Sequence, residues 1–597
     1  MEAATASASA ASLPSSLPMN GSSCNSNSIS KRKREKNKKA AKRKGSKGSA
    51  DGATTTSPSK GSGEGAASSV GSSASSSASL QGTCDGGTVA FAPLLTASLA
   101  ACQNTPFAAK AVTILVLFAL FLRYLVSIHP YSGMGKPPMF GDYECQRHWM
   151  EVTLHLPVRD WYKQTEENDL NYWGLDYPPL SAYFSWLCGH VGALIEAPSM
   201  ALFSSRGYET ASSKLFMRST VLLGELCIYF PALYMLVKTY YPDRPWFKQM
   251  AAFFVMLLQP SLMLIDHGHF QYNAVSLGLT LWAIVFVLRR QDVLGSICFC
   301  LALNFKQMSL YFAPTFFFYL LAVNVNRHKK WHSCLMVLKL GAVVVLTFAV
   351  CWAPFLHSLE DIQQVLHRLF PVARGLYEDK VANFWCALSP LLKVNRLLSV
   401  PAMVKLCAVM SLAGFLPANI QLFFNPSPRR FLLCLFATSM SFFLFSYHVH
   451  EKSILLPLLP LTCLLLDYPR FVAWFNVIAA FSMYPLLLRD GVTVPYLATT
   501  WLLFYPLSAS LADDSETSSN LSFLWNGPTL QKLLPLCHAL SGGGVVLLHL
   551  LKATVSPPSA YPDLFDLLMA CWSFVHFFLA YIAAQCLQWR LKKSKKR

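Results

Sequence analysis

Three short polar clusters interrupt an otherwise apolar chain of 597 residues, and each carries side chains able to move protons or neutralise anions. The first, GDYECQRHW over residues 141–149, sets Asp142 and Glu144 around a tyrosine and follows them with Arg147, His148 and Trp149. A carboxylate placed where a chain leaves a bilayer can take the proton of a sugar hydroxyl as a general base. Read as a helix, the segment brings Glu144, Arg147 and His148 together and puts Asp142 on a different face from His148. The bland alternative is an interfacial loop with tryptophan anchors and local ion pairs. The second cluster, DHGHFQYN over 266–273, offers Asp266, His267, His269, Gln271 and Asn273; the third, HVHEK over 448–452, offers His448, His450, Glu451 and Lys452. Histidines two apart suit metal ligation, but neither pair comes with the three or four ligands a metal site needs, so no metal and no cofactor is expected. The same histidines with Lys306, Arg374 and Lys452 could meet the charge of a phosphate leaving group through charge-assisted hydrogen bonds, or simply be hydrogen-bonded interface residues. Between the clusters, NYWGLDYPPL adds Asp176 and Tyr177 to an aromatic and acidic stretch, residues 161–180, that suits a carbohydrate as well as it suits a bilayer surface.

The elements that must position these clusters are membrane helices. Hydrophobic residues make up 53% of the chain and charged ones only 14%, and the apolar residues come in runs long enough to cross a hydrocarbon core. The net charge of +19 does not argue for nucleic acid, because Lys31–Lys47 alone holds eleven basic residues against one acid, about half of the excess. Beside a membrane span such a run is a topology determinant held at an anionic cytosolic leaflet. Residues 1–105 are rich in Ser, Ala, Gly and Thr and are expected to be a disordered cytosolic tail, with the transmembrane domain over 106–597. Seventeen cysteines show no disulfide or metal-like spacing.

Lysine and arginine in the short loops orient the spans. The tail places the start of the first span, residues 109–128, in the cytosol, and the basic loop 239–248 must return there. Residues 129–214 then form a large first luminal loop, and Pro178–Ile195 is read as a helix lying in or dipping into the interface. Continued alternation gives about fourteen spans, a second large luminal loop over 357–384, and both termini in the cytosol. The basic loops fall on one side. The clusters around Asp142, Asp266, Lys306, Arg374 and His450 all fall on the other, which makes that face the candidate site.

No phosphate loop, dinucleotide-binding glycine fingerprint or GxSxG elbow is present, so a transferred group has to arrive already activated from the membrane. A lipid-linked sugar transporter would share the spans, but it would place charges near the bilayer midplane and carry internal repeats, neither of which is visible.

GKPPMFGDYECQRHWMEVTLHLPVRDWY, NYWGLDYPPL, LIDHGHFQYNAVSLG, LALNFKQM, RLFPVARGLYEDKVANFWC and FSYHVHEKSILL resemble the endoplasmic-reticulum glucosyltransferases of the GT-C class that extend the lipid-linked oligosaccharide of N-glycosylation. The resemblance runs from about Ser127 to the C-terminus, and GDYECQRHW with NYWGLDYPP is similar to the members that add the first glucose rather than to their sisters that add the second. It implies an all-α GT-C fold in the endoplasmic-reticulum membrane, a dolichyl-phosphate-glucose donor, and a dolichyl-pyrophosphate-linked nine-mannose acceptor. The expected reaction is an inverting alpha-1,3 transfer with Asp142 as base and His448, His450, Glu451 and Lys452 near the donor phosphate. Substrate contacts are further expected at Glu144, Arg147, Asp176, Tyr177, Asp266, His269, Gln271, Lys306 and Arg374. Lys593 and Lys595 resemble a retrieval signal for that membrane.

Overall fold

A backbone crossing hydrocarbon must satisfy every N–H and C=O within its own segment, which restricts a chain with these apolar runs to helices. In the computed structural model, which describes residues 91–327, 330–370, 376, 380–512 and 528–591, every element is helical. Lys593, Lys595 and Arg374 lie outside the described residues, as does the tail up to residue 90. The tail expected to end at 105 shortens where it can be described: Phe91–Cys102 forms helix α1, whose Leu99 is buried in the main core. Leu95 packs against the same core; the surrounding serine-rich composition obscures this short apolar run in the sequence.

Helix α2 (Phe107–Ser127) is followed by α3 (Gly141–His155), α4 (Pro179–Glu196), α5 (Ala211–Tyr240) and α6 (Trp246–Phe270). Two shorter apolar helices come next, α7 (Asn273–Leu288) and α8 (Asp292–Phe305). Nine helices among the described residues are long and apolar enough to cross a bilayer. Between residues 455 and 509 the proline-rich apolar run forms the helical pieces Leu455–Thr462, Pro469–Ser482, Tyr484–Arg489 and the continuous stretch 493–509, each shorter than the spans above. Helix α6 sits at the centre: its apolar window is wholly buried, whereas those of α2 and Trp331–Phe355 are 22% and 11% buried.

Three features of this scaffold place the site. Helix α6 does not end in a loop at DHGHFQYN; residues Leu264–Phe270 continue it as one wide π-helical turn, fully buried. The Asp266 carboxylate then accepts from the backbone N–H groups of Asn273 and Ala274, capping α7 and fixing the angle between α6 and α7. At the start of α3 the chain crosses itself so closely that a Cβ on Gly141 would lie 2.5 Å from the Ser132 carbonyl oxygen. Gly141 has φ +71°, a left-handed conformation that glycine adopts without strain. Finally, the amphipathic helix α9 (Leu359–Leu369) is strapped onto the loop before α4: Arg368 donates to the carbonyls of Gly174 and Leu175, and Gln364 to that of Tyr162.

Candidate active site

Asp142 stands in the first turn of α3, where the helix dipole favours a negative charge. Its Oδ2 collects three donors from distant parts of the chain: Lys452 Nζ at 2.8 Å, His269 Nε2 at 3.0 Å, and the Gln271 amide. The Gln271 amide is oriented by its other end, because Oε1 accepts from Lys306 Nζ at 2.9 Å and from the Tyr177 hydroxyl at 3.2 Å, leaving the NH2 for Asp142. Lys306 Nζ also donates to Asn273 Oδ1 and lies 4.8 Å from the Tyr177 ring centre. All three described side-chain bonds of Asp142 fall on Oδ2, so Oδ1 is the oxygen left for a substrate.

Burial pushes the Asp142 carboxyl up, and the charges of Lys452 and His269 outweigh it, holding the group well below the usual carboxylate range. For Lys452, burial works against the charged form and Asp142 more than compensates, so its ammonium is held above the ordinary lysine value. Lys306 is moved the opposite way, down, chiefly by burial. The Tyr177 hydroxyl is pushed well above its usual value by burial and stays a donor.

A cavity of about 910 Å³ opens over this carboxylate. Asp142, Asp176, Tyr177, Gln271, Lys306, His448, His450 and Lys452 all line it, so eight of the expected residues converge from five separate stretches of chain. Its lining includes polar side chains such as Asn171, Trp173 and Gln307 and apolar ones, Leu277, Leu310, Phe442, Leu455 and Leu456. Apolar lining of this kind can take a lipid chain, and polar lining can take sugar hydroxyls.

Five expected contact residues stand elsewhere. Glu144 and Arg147 form a buried pair, Oε1 to Nη2 at 2.6 Å, in which Arg147 also binds Glu151, Ser205 and the Ser199 carbonyl and Tyr172 donates to Glu144. Their spacing does put them on one helix face, but that face is turned to the segment 199–205 and not to the cavity. Asp266 caps α7 from below, and Glu451 is buried beside the cavity without lining it. His269 does not line the cavity; its Nε2 bonds Asp142 and its Nδ1 bonds Asp490 at 2.5 Å. Asp490 was not among the expected residues. A single acid after an apolar run, LRDGV, has the pattern of an ordinary helix end, and only the fold brings it to His269, 221 positions away in sequence. A second unexpected group is the buried trio of Arg123, Glu225 and His267, with Arg123 Nη2 2.6 Å and His267 Nε2 2.6 Å from the Glu225 carboxylate.

The ALG6, ALG8 glycosyltransferase family matches the chain over residues 119–583. A Dictyostelium discoideum protein named probable dolichyl pyrophosphate Man9GlcNAc2 alpha-1,3-glucosyltransferase is 47% identical over 486 residues, 79% of this chain and 93% of its own length. The Gallus gallus dolichyl pyrophosphate Man9GlcNAc2 alpha-1,3-glucosyltransferase is 45% identical over 499 residues, 81% of this chain and 97% of its own. Among solved structures, an archaeal oligosaccharyltransferase AglB from Archaeoglobus fulgidus aligns with a TM-score of 0.30 at 13% identity, over 82% of this chain and 57% of that one.

Proposed function

The chain belongs to the ALG6, ALG8 glycosyltransferase family, and from that premise we propose that it adds one glucose in alpha-1,3 linkage to dolichyl pyrophosphate Man9GlcNAc2, with Asp142 as the base. The donor is dolichyl-phosphate-glucose, and its beta-linked sugar inverts. A mannose hydroxyl of the acceptor hydrogen-bonds Asp142 Oδ1 and its oxygen attacks the anomeric carbon. The bond from that carbon to the phosphate oxygen breaks, the proton passes to Asp142, and dolichyl phosphate leaves. The ammonium groups of Lys306 and Lys452 and the rings of His448 and His450 line the same cavity, where they can meet the phosphate charge.

The observation that carries this reading is the convergence on one carboxylate of three donors from two clusters far from it in sequence, beside a cavity lined by both polar and apolar side chains. The chain is a membrane protein, and we place its cavity on the luminal side. That sidedness is supported by the opposite helix ends, where the basic loops meet: Arg289 donates to Thr239, and Arg429 pairs with Asp467, which also accepts from Tyr240 at 2.7 Å.

Purified full-length protein supplied with dolichyl-phosphate-glucose and the nine-mannose lipid should yield a product one hexose heavier. Asp142→Asn should lower the rate by about 10²–10⁴ while the protein keeps its elution profile and melting temperature. No transfer by the wild type would end the functional reading, and an active Asp142→Asn would remove Asp142 as base.

A further inference from the structure

We infer that Asp490 is a positioning residue for this transfer: its carboxylate on His269 Nδ1 fixes the ring so that Nε2 donates to Asp142. The inference rests on Asp142 being the base. His269 lies between two carboxylates, Asp490 Oδ2 at 2.5 Å and Asp142 Oδ2 at 3.0 Å, and both can be satisfied only if both ring nitrogens donate. Lys452 Nζ stands 3.1 Å from the same Nε2, so it competes for that nitrogen whenever the nitrogen offers a lone pair.

The charges facing the ring are few. Asp142 comes from α3, Lys452 from the turn Glu451–Ile454, and Asp490 from the turn after Tyr484–Arg489. On the ring's own π-helical turn, Asp266 is taken up by α7 and His267 by Glu225, while Arg218 of α5 donates to the backbone carbonyls of His267 and Gly268. With Asp490 ionised, the two carboxylates are matched by Lys452 and a doubly protonated ring. Asp490 is 6% exposed, so water is a poor substitute for it.

An amide at 490 would accept Nδ1–H but carry no charge. The ring would be neutral, its Nε2 lone pair would turn to Lys452, and Asp142 would lose one donor and one neighbouring positive charge. Asp142 would then bind a proton more readily and be less firmly aimed.

The test uses purified full-length protein, with transfer rates followed from about pH 5 to about pH 8. Asp490→Asn should lower kcat about ten- to a hundredfold, move the acid limb of the pH profile to higher pH, and leave both KM values within about twofold. Asp490→Glu should keep the wild-type limb. In a His269→Gln background, Asp490→Asn should cost nothing more. An Asp490→Asn enzyme with wild-type kcat and limb overturns the inference, as does a loss that multiplies in the His269→Gln background. Should Asp490→Asn not fold, the other two variants decide. His269→Gln must show the raised limb and Asp490→Glu the original one, and the reverse pattern overturns the inference. An inactive wild type would instead refute the transferase reading itself.

Discussion

A carboxylate that accepts three strong donors is a weak base, so Asp142 cannot owe its role to a high affinity for protons. As the proposed base it would gain a strong preference for the ionised form and a fixed position, and would take the proton only once the attacking hydroxyl oxygen has bonded to the anomeric carbon and become acidic. Burial raises its proton affinity and Lys452 is the largest opposing influence. Lys452→Met should therefore let the carboxyl rise, so that activity on the acid side fails at a higher pH than in the wild type; an unmoved limb in kcat/KM would count against this. Lys306 has the opposite sign. Burial lowers its ammonium, so its positive charge is lost at a lower pH than that of a free lysine. The donor KM should climb as pH rises toward the ordinary lysine range, and Lys306→Arg should postpone the climb. At this scale a polar cluster breaking an apolar run was enough to single out Asp142, Gln271, Lys306, His448, His450 and Lys452, which line one cavity. The same cue misled at Glu144 and Arg147, because a carboxylate and an arginine three residues apart on a helix look the same whether they face a cavity or a neighbouring segment.

The decisive elements are the π-helical turn Leu264–Phe270 and the tight start of α3. Asp266, His267 and His269 leave the turn in three directions, to α7, to Glu225 and to Asp142. Glu225→Ala would leave the guanidinium of Arg123 buried and uncompensated, a loss of about 3–5 kcal/mol, whereas Arg123→Met with Glu225→Met should recover much of it. Thermal melting of the single and double variants checks this, and equal losses for both would contradict it. At Gly141, an alanine would need a left-handed backbone and would drive its Cβ into the Ser132 carbonyl, so Gly141→Ala should displace Asp142 and depress kcat more than it lowers the melting temperature. Hydropathy could locate the helices, but not the wide turn. DHGHFQYN is polar enough to look like a loop, and its first five residues stay helical because their polar side chains find buried partners instead of water.

For the molecule as a whole, sidedness and extent are open to direct measurement. Glycosylation acceptors engineered into residues 159–171 should be modified and those in 242–245 should not; the reverse would place the cavity in the cytosol. Removing residues 1–84 should leave the transfer rate intact, since the family match begins at 119. The grouping of basic loops away from the polar clusters was legible from lysine and arginine counts alone, because leaflet charge acts on each loop separately. The proline-cut segments after residue 454 were not, because the number of crossings there depends on how short helices stack. The burial contrast between α6 and its neighbours has one more consequence. The apolar window of the helix that carries His269 is wholly enclosed by protein, whereas those of α2 and Trp331–Phe355 are mostly uncovered by it and would face acyl chains in a bilayer. Thinning or thickening the bilayer should be absorbed by tilting of that outer shell, leaving the reacting centre insulated from hydrophobic mismatch and its speed indifferent to which membrane surrounds it.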